Sequence, residues 1–266
     1  MDVHQGNWDA KAGWKWQFQA EANDDAVTLV LAFGGPAALA KQTPLDELAL
    51  KFRNAQLVAC STDGEIEGTQ VFEDAIVATA IRFEHTEVQV AEARMVVGRS
   101  NHEAGVQLAQ LMQRPGLAHL FVISSGSGAE VAELTKSLTA ALPRHVALTG
   151  GSSKAVYFQG RPMANAVVAV GFFGHRIHVG YGALDGKDPF GSESRNGFGG
   201  RSPELAILTS SASSRRAPTK KIEEEVRSVR EMLGPKVALT GFCAQMNVSP
   251  FLSSAQQTTV TTLREE

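Results

Sequence analysis

The chain has 266 residues, of which 43% are hydrophobic and 20% charged, with a formal net charge of −3. That is the make-up of an ordinary globular protein, long enough to bury roughly 70–75% of its unfolded surface without disulfide or metal staples. It excludes collagen-like, coiled-coil, disulfide-rich and helical membrane classes, and the near-neutral charge gives no global field for nucleic acid.

Residues 1–26 are expected to form an N-terminal extension. Trp8, Trp14 and Trp16 lie there among polar residues, without the basic start and apolar core of a secretory signal. Two cysteines, Cys60 and Cys243, make no disulfide framework, so a reducing cytoplasm is the expected compartment.

From residue 27 onward one order of elements occurs three times. Each unit opens on a short apolar run: Val27–Phe33, Leu120–Ile123 and Leu205–Leu208. Runs this short read as buried strands. Each then turns through small residues: Gly34-Gly35, Ser124 to Gly128, and Ser210 to Ser214. A helical pattern follows, carried by Leu45, Leu48, Ala49 and Phe52, with Pro44 suited to a first helical position. In the second unit Val131, Leu134, Leu138 and Leu142 carry it until Pro143. In the third, Ile222, Val226, Val229 and Leu233 carry it until Gly234-Pro235.

A second strand comes next: Leu57–Gly64, Val146–Ser152 and Val237–Cys243. The third strands are Ala75–Phe83, Ala166–Phe173 and Thr258–Leu263. The first two continue as hairpins into Val88–Ala91 and Ile177–Tyr181, and an extra helix over Asn101–Gln113 joins units one and two. A strand, helix and strand in succession favour a right-handed parallel crossover. The expected fold is therefore α/β, with mixed sheets built from three strand–helix–strand–strand repeats and helices outside. Glycine-rich residues 182–201 read as a linker.

Four segments then bring a family into view. They are Leu57 to Ile66, ending Gly64-Glu65-Ile66; Ala147 to Ser152, with a hairpin through Phe158 and Gly160 to Val168; Gly180-Tyr181-Gly182; and Gly241-Phe242 running through Gln257-Thr258 to Leu263. In this order they resemble FIST domains. The resemblance implies a FIST N-terminal domain over 27–185, a linker over 186–204 and a shortened FIST C-terminal domain over 205–266. It also implies a sensory, ligand-binding protein, not a catalyst, with a histidine kinase or cyclic-dinucleotide enzyme as signalling partner. Met246-Asn247-Val248 stands where the Gly-Glu-Ile ending would recur, and Ala255 to Thr258 lacks the family's histidine and asparagine.

The candidate ligand residues are Ser61, Thr62, Asp63, Gly64 and Glu65; Ser124, Ser125 and Gly126; Gly150, Gly151 and Ser152; and Tyr181. Small side chains and free amides at strand ends suit a small polar ligand such as an amino acid, and Asp63 and Glu65 suit its ammonium group. The same residues read equally as turns and helix caps. Gly126-Ser127-Gly128 is neither a phosphate loop nor a dinucleotide fingerprint.

Cys60 aligns with Leu148 and Leu239 on this reading and is expected to be buried and inert, while Cys243 is expected to be exposed. The seven histidines, His4, His85, His102, His119, His145, His175 and His178, read as surface groups. No cofactor is required. Haem is the one candidate group, as in a nitric oxide sensor, and no histidine is singled out as its ligand. No metal set is apparent, since the i, i+3 spacing of His175 and His178 across a strand turn is not a helical metal pair. A hydrolase or transferase using Cys60 or Ser61 as nucleophile is the remaining alternative. Arg215, Arg216, Lys220 and Lys221 before Glu223 to Glu225 read as a solvated helix start. No output domain is expected in these residues, so a signal would pass to a separate protein.

Overall fold

The structure, a computed structural model, describes residues 1–17, 24–96, 101–126, 128–184, 202–211, 219–248 and 258–266. Two strands come first, β1 (Asp2–Asp9) and β2 (Gly13–Trp16). Unit one holds β3 (Leu29–Gly34), α1 (Pro36–Leu39), α2 (Thr43–Lys51), β4 (Gln56–Ser61), β5 (Glu65–Glu67), β6 (Gln70–Phe72), β7 (Ile76–Arg82) and β8 (Glu87–Arg94). Helix α3 (His102–Met112) leads into unit two: β9 (Leu117–Ser125), α4 (Gly128–Ala141), β10 (Ala147–Ser153), β11 (Val156–Phe158), β12 (Arg161–Met163), β13 (Ala166–Phe173) and β14 (Ile177–Leu184). Unit three holds β15 (Leu205–Ser211), α5 (Thr219–Leu233), β16 (Ala238–Ala244), β17 (Asn247–Val248) and β18 (Thr258–Glu265).

The expected α/β architecture is what forms. Each unit gives a parallel pair, β3–β4, β9–β10 or β15–β16, with an antiparallel third strand, β7, β13 or β18, beside the first. The sheets run β12-β11-β4-β3-β7-β1-β2, then β17-β10-β9-β13-β8, then β14-β18-β15-β16-β5-β6.

The short strands after each parallel pair do not stay in their own sheet. Those of unit one, β5 and β6, extend the third sheet on β16. Those of unit two, β11 and β12, extend the first on β4. That of unit three, β17, extends the second on β10. On the opposite edges β8 joins β13, β14 joins β18, and β1 joins β7. The exchange is cyclic, so the three units form a ring closed by the start of the chain.

Residues 1–26, expected as an extension, therefore contribute β1 and β2 to the first sheet. Trp8 is buried against Val30, Leu45 and Phe52 on that sheet's helical face, and Trp14 stacks on Trp16 at 5.5 Å. Likewise the third sheet draws strands from both sides of residues 186–204. Residues 185–201 of the glycine-rich segment, with Ser127, Arg215, Arg216 and Ala255 to Gln257, lie outside the described residues.

One face of every sheet points to the middle of the ring. Leu31, Phe33, Phe121, Ile123, Val170, Phe172, Ile207 and Phe242 pack there, and Phe33 stacks on Phe242 at 4.7 Å. Each such side chain, fully buried, contributes roughly 1.5–3 kcal/mol. The outer faces carry the helices: α1 and α2 on the first sheet, α3 and α4 on the second, α5 on the third. Helix α2 starts at Thr43, so Pro44 sits one position further in than expected, where the backbone N–H is still unneeded. Helix α5 stops where expected, with Gly234 at φ +87° and its N–H on the Arg230 carbonyl at 2.9 Å.

Candidate functional site

The register fixes which residues are equivalent. Ser61 pairs with Gly34, Ser152 with Ser124, and Cys243 with Ser210, so Ser61, Ser152 and Cys243 hold one position in three units. Their backbone N–H groups donate to the carbonyls of Ala155, Met246 and Gly64 at 2.9, 2.8 and 3.0 Å. Each strand end is thus tied to the turn of the next unit. Two positions further on stand Asp63, Lys154 and Gln245. Lys154 Nζ meets Asp63 Oδ1 at 2.8 Å.

Around this junction lies a cleft of about 390 Å³. Its walls are Ser125 and Gly126 from the end of β9, Ser153 and Lys154 from the end of β10, Glu130 from the first turn of α4, and Met95, Asn165 and Gln245. The volume is that of a small-molecule site. One wall carries a carboxylate and another an ammonium group, and hydroxyl and amide groups lie between.

The predicted residues divide between this cleft and the interior. Ser125 and Gly126 line it. Ser125 Oγ also donates to the Ala166 carbonyl at 3.1 Å. Ser61 stands behind it, with Oγ 3.2 Å from Ser153 Oγ and accepting the Ala155 N–H at 2.9 Å. Asp63 is exposed and reaches the cleft through Lys154. Thr62 faces the other way, its Oγ1 accepting the Gly64 and Cys243 N–H groups at 3.1 and 3.0 Å. Gly64 is close-packed, and a Cβ there would come within 2.9 Å of Cys243 Sγ.

Ser124 and Ser152 are fully buried neighbours across the β9–β10 pair, and neither Oγ has a partner among the described residues. Gly150 and Gly151 lie within β10 and are demanded by packing. A Cβ on Gly150, at φ +135°, would sit 1.9 Å from the Val122 carbonyl oxygen, and one on Gly151 would sit 2.7 Å from Ala244 Cβ.

Two candidates lie elsewhere. Glu65 was expected beside a ligand ammonium group, yet it is completely enclosed on β5, opposite Phe242. Its Oε2 accepts the Ala75 N–H at 3.3 Å and its Oε1 has no partner among the described residues, and burial pushes the carboxyl up to about 8. Tyr181 stacks on His119 at 6.2 Å in the seam between the second and third sheets, not among the serine loops.

Three further expectations are corrected. Cys60 is buried with its thiol pushed up by desolvation, as expected, but it pairs with Phe33 and Val156 and corresponds to Gly151 and Phe242, not Leu148 and Leu239. Cys243 is buried too, packed under α5 with Val71 and Ile222, and burial raises its thiol to about 12. Burial disfavours a thiolate at both positions. His119 is interior, not a surface group. Desolvation lowers it to about 3, and Nε2 lies 2.8 Å from Thr149 Oγ1, which accepts from Thr261 Oγ1 at 2.7 Å. His119 is therefore enclosed, with Nε2 engaged by Thr149. Of the others, His85, His102, His145 and His175 are exposed.

Sequence reasoning missed Met95, Glu130, Lys154, Asn165 and Gln245. Gln245 had a signal, since it falls at the position of Asp63 and Lys154 once the units are aligned. Among the described residues there is no cluster of three or more metal-ligating side chains, and no helix is long and apolar enough to cross a membrane.

A solved structure described as cyanuric acid hydrolase from A. caulinodans superposes with a TM-score of 0.49 at 9% identity, over 92% of this chain and 91% of that one. No curated protein matches. The family model described as the FIST N domain matches residues 28–195, well over half of the chain. With the order of its motifs and the three-unit fold already described, the protein belongs to the FIST family of sensory, small-ligand-binding domains.

Proposed function

We propose that this protein is a small-ligand sensor whose ligand is a small zwitterion, an amino acid or close relative, held in the cleft at the carboxyl ends of β9 and β10. The observation that carries this reading is the lining. Glu130 and Lys154 supply opposite charges across about 390 Å³, with Ser125, Ser153, Asn165 and Gln245 between them. A carboxylate would meet Lys154 and the amides near Gly126, and an ammonium group would meet Glu130. Gln245 comes from the third unit, so a bound ligand would touch two units at once. Occupancy would then favour one arrangement of their junction and bias a partner protein, a histidine kinase or cyclic-dinucleotide enzyme being the partner class the family suggests. A reducing cytoplasm suits the two free cysteines.

The test is a thermal-shift and calorimetric screen of the amino acids and small carboxylates, because a ligand of the native state raises the melting temperature. The reading expects at least one saturable binder, weakened about tenfold by Lys154→Gln or Glu130→Gln. A screen with no binder, or one whose binder ignores both substitutions, overturns it.

A further inference from the structure

A second cleft lies at the amino ends of β15 and β16, whereas the first lies at the carboxyl ends of β9 and β10. It measures about 890 Å³ and follows the seam where β1 of the first sheet meets the third sheet. Its charges are unevenly partnered. The two acids on its wall are both engaged. Asp2 pairs with Arg82 at 2.5 Å. Glu204 lies 3.8 Å from the α-amino group of Met1 and accepts the Glu265 N–H at 3.0 Å.

Three of its cations, Arg230, Lys236 and Arg264, have no carboxylate within ion-pair distance among the described residues. Arg264 is held by Nη1 on the Ser202 carbonyl at 2.8 Å, while its Nε is buried and has no acceptor among the described residues. Arg230 is pinned by Nη1 on the carbonyls of Gly234, Pro235 and Val237 at 3.1, 3.1 and 2.6 Å. Both guanidinium groups are thus fixed in place before any ligand arrives, and Lys236 is exposed between their segments.

Uncompensated positive charge against a partly buried wall is unfavourable until an anion neutralises it. Fixed, planar donors suit oxyanions, which they bind in pairs of hydrogen bonds. The volume is at the upper end for small-molecule sites, more than a single phosphate or carboxylate fills. We propose that this cleft binds a multiply charged organic anion of roughly nucleotide size, through Arg264, Lys236 and Arg230. The site is separate from the amino-acid cleft and gives the protein a second input.

Titration calorimetry on the full chain with inorganic pyrophosphate and with citrate tests this and separates phosphate from carboxylate chemistry. Saturable binding of either is expected, stronger at low salt. Lys236→Gln, an exposed change that leaves the fold alone, should weaken it about threefold, and Lys236→Gln with Arg264→Gln about tenfold or more, with melting curves confirming folded protein. Lys154→Gln, in the other cleft, should leave it unchanged. Absence of saturable binding by both anions overturns the proposal. So does binding that survives the Lys236 and Arg264 changes, or binding that Lys154→Gln abolishes.

Discussion

Lys154 and Asp63 hold the same position in consecutive units, and their side chains meet at 2.8 Å. Both are more than half exposed, so the pair contributes under about 1 kcal/mol to stability. Asp63→Asn should therefore leave the melting temperature within about a degree or two. It also frees Lys154 to serve a ligand carboxylate alone, so affinity for the cleft's ligand should rise while stability stays flat. Calorimetry beside a melting curve checks both.

Glu65 predicts a pH dependence. Its carboxyl ionises near 4.5 when unfolded and at about 8 when buried. The native state holds the extra proton, so this contribution to stability is fully present below about 4.5 and is lost as pH rises to about 8. The loss is on the order of 5 kcal/mol. Glu65→Gln keeps an oxygen for the Ala75 N–H and has nothing to ionise. Urea unfolding across pH 5 to 8 should show a falling midpoint for the parent and a flatter one for Glu65→Gln.

Gly150 admits no side chain. At φ +135°, with Val122 O 1.9 Å from the Cβ position, alanine requires the β9–β10 pair to part. Gly150→Ala should cost about 3 kcal/mol or more, seen as a large drop in denaturant midpoint or insoluble expression. Gly68→Ala, at φ +60° with open space around it, should cost only about 1 kcal/mol.

Cys60 and Cys243 should resist modification. Both are buried with thiols raised by desolvation. A maleimide reagent at neutral pH should label neither in native protein and both in urea, read by intact mass. Rapid native labelling of one thiol would revive the nucleophile reading for that residue.

Much of the fold was legible because its strands are local and apolar. β13 spans Ala166–Phe173, the range its unbroken apolar run predicts. β1 was not legible, because two of its inward positions are polar: Gln5 donates to the Leu239 carbonyl at 2.8 Å and Asn7 to Glu67 at 2.7 Å. Those partners lie in the third sheet, and no local pattern announces them. Glu65 was misplaced for the same reason, since its strand pairs with β16 of the third unit, and His119 because Tyr181 of the third sheet stacks over it. Of the site, the serine and glycine strand ends were visible as small-residue turns. Glu130 and Asn165 were not, because only packing sets them facing those turns.

The cyclic exchange of short strands has a consequence during synthesis. β5, at Glu65–Glu67, has its partner in β16, at Ala238–Ala244. A growing chain must carry that hairpin unpaired until residues 238–244 have been made. Pairings this distant in sequence are slow to form and leave apolar edges open to aggregation meanwhile. Truncation of the last unit should therefore yield an insoluble product and not a smaller working sensor.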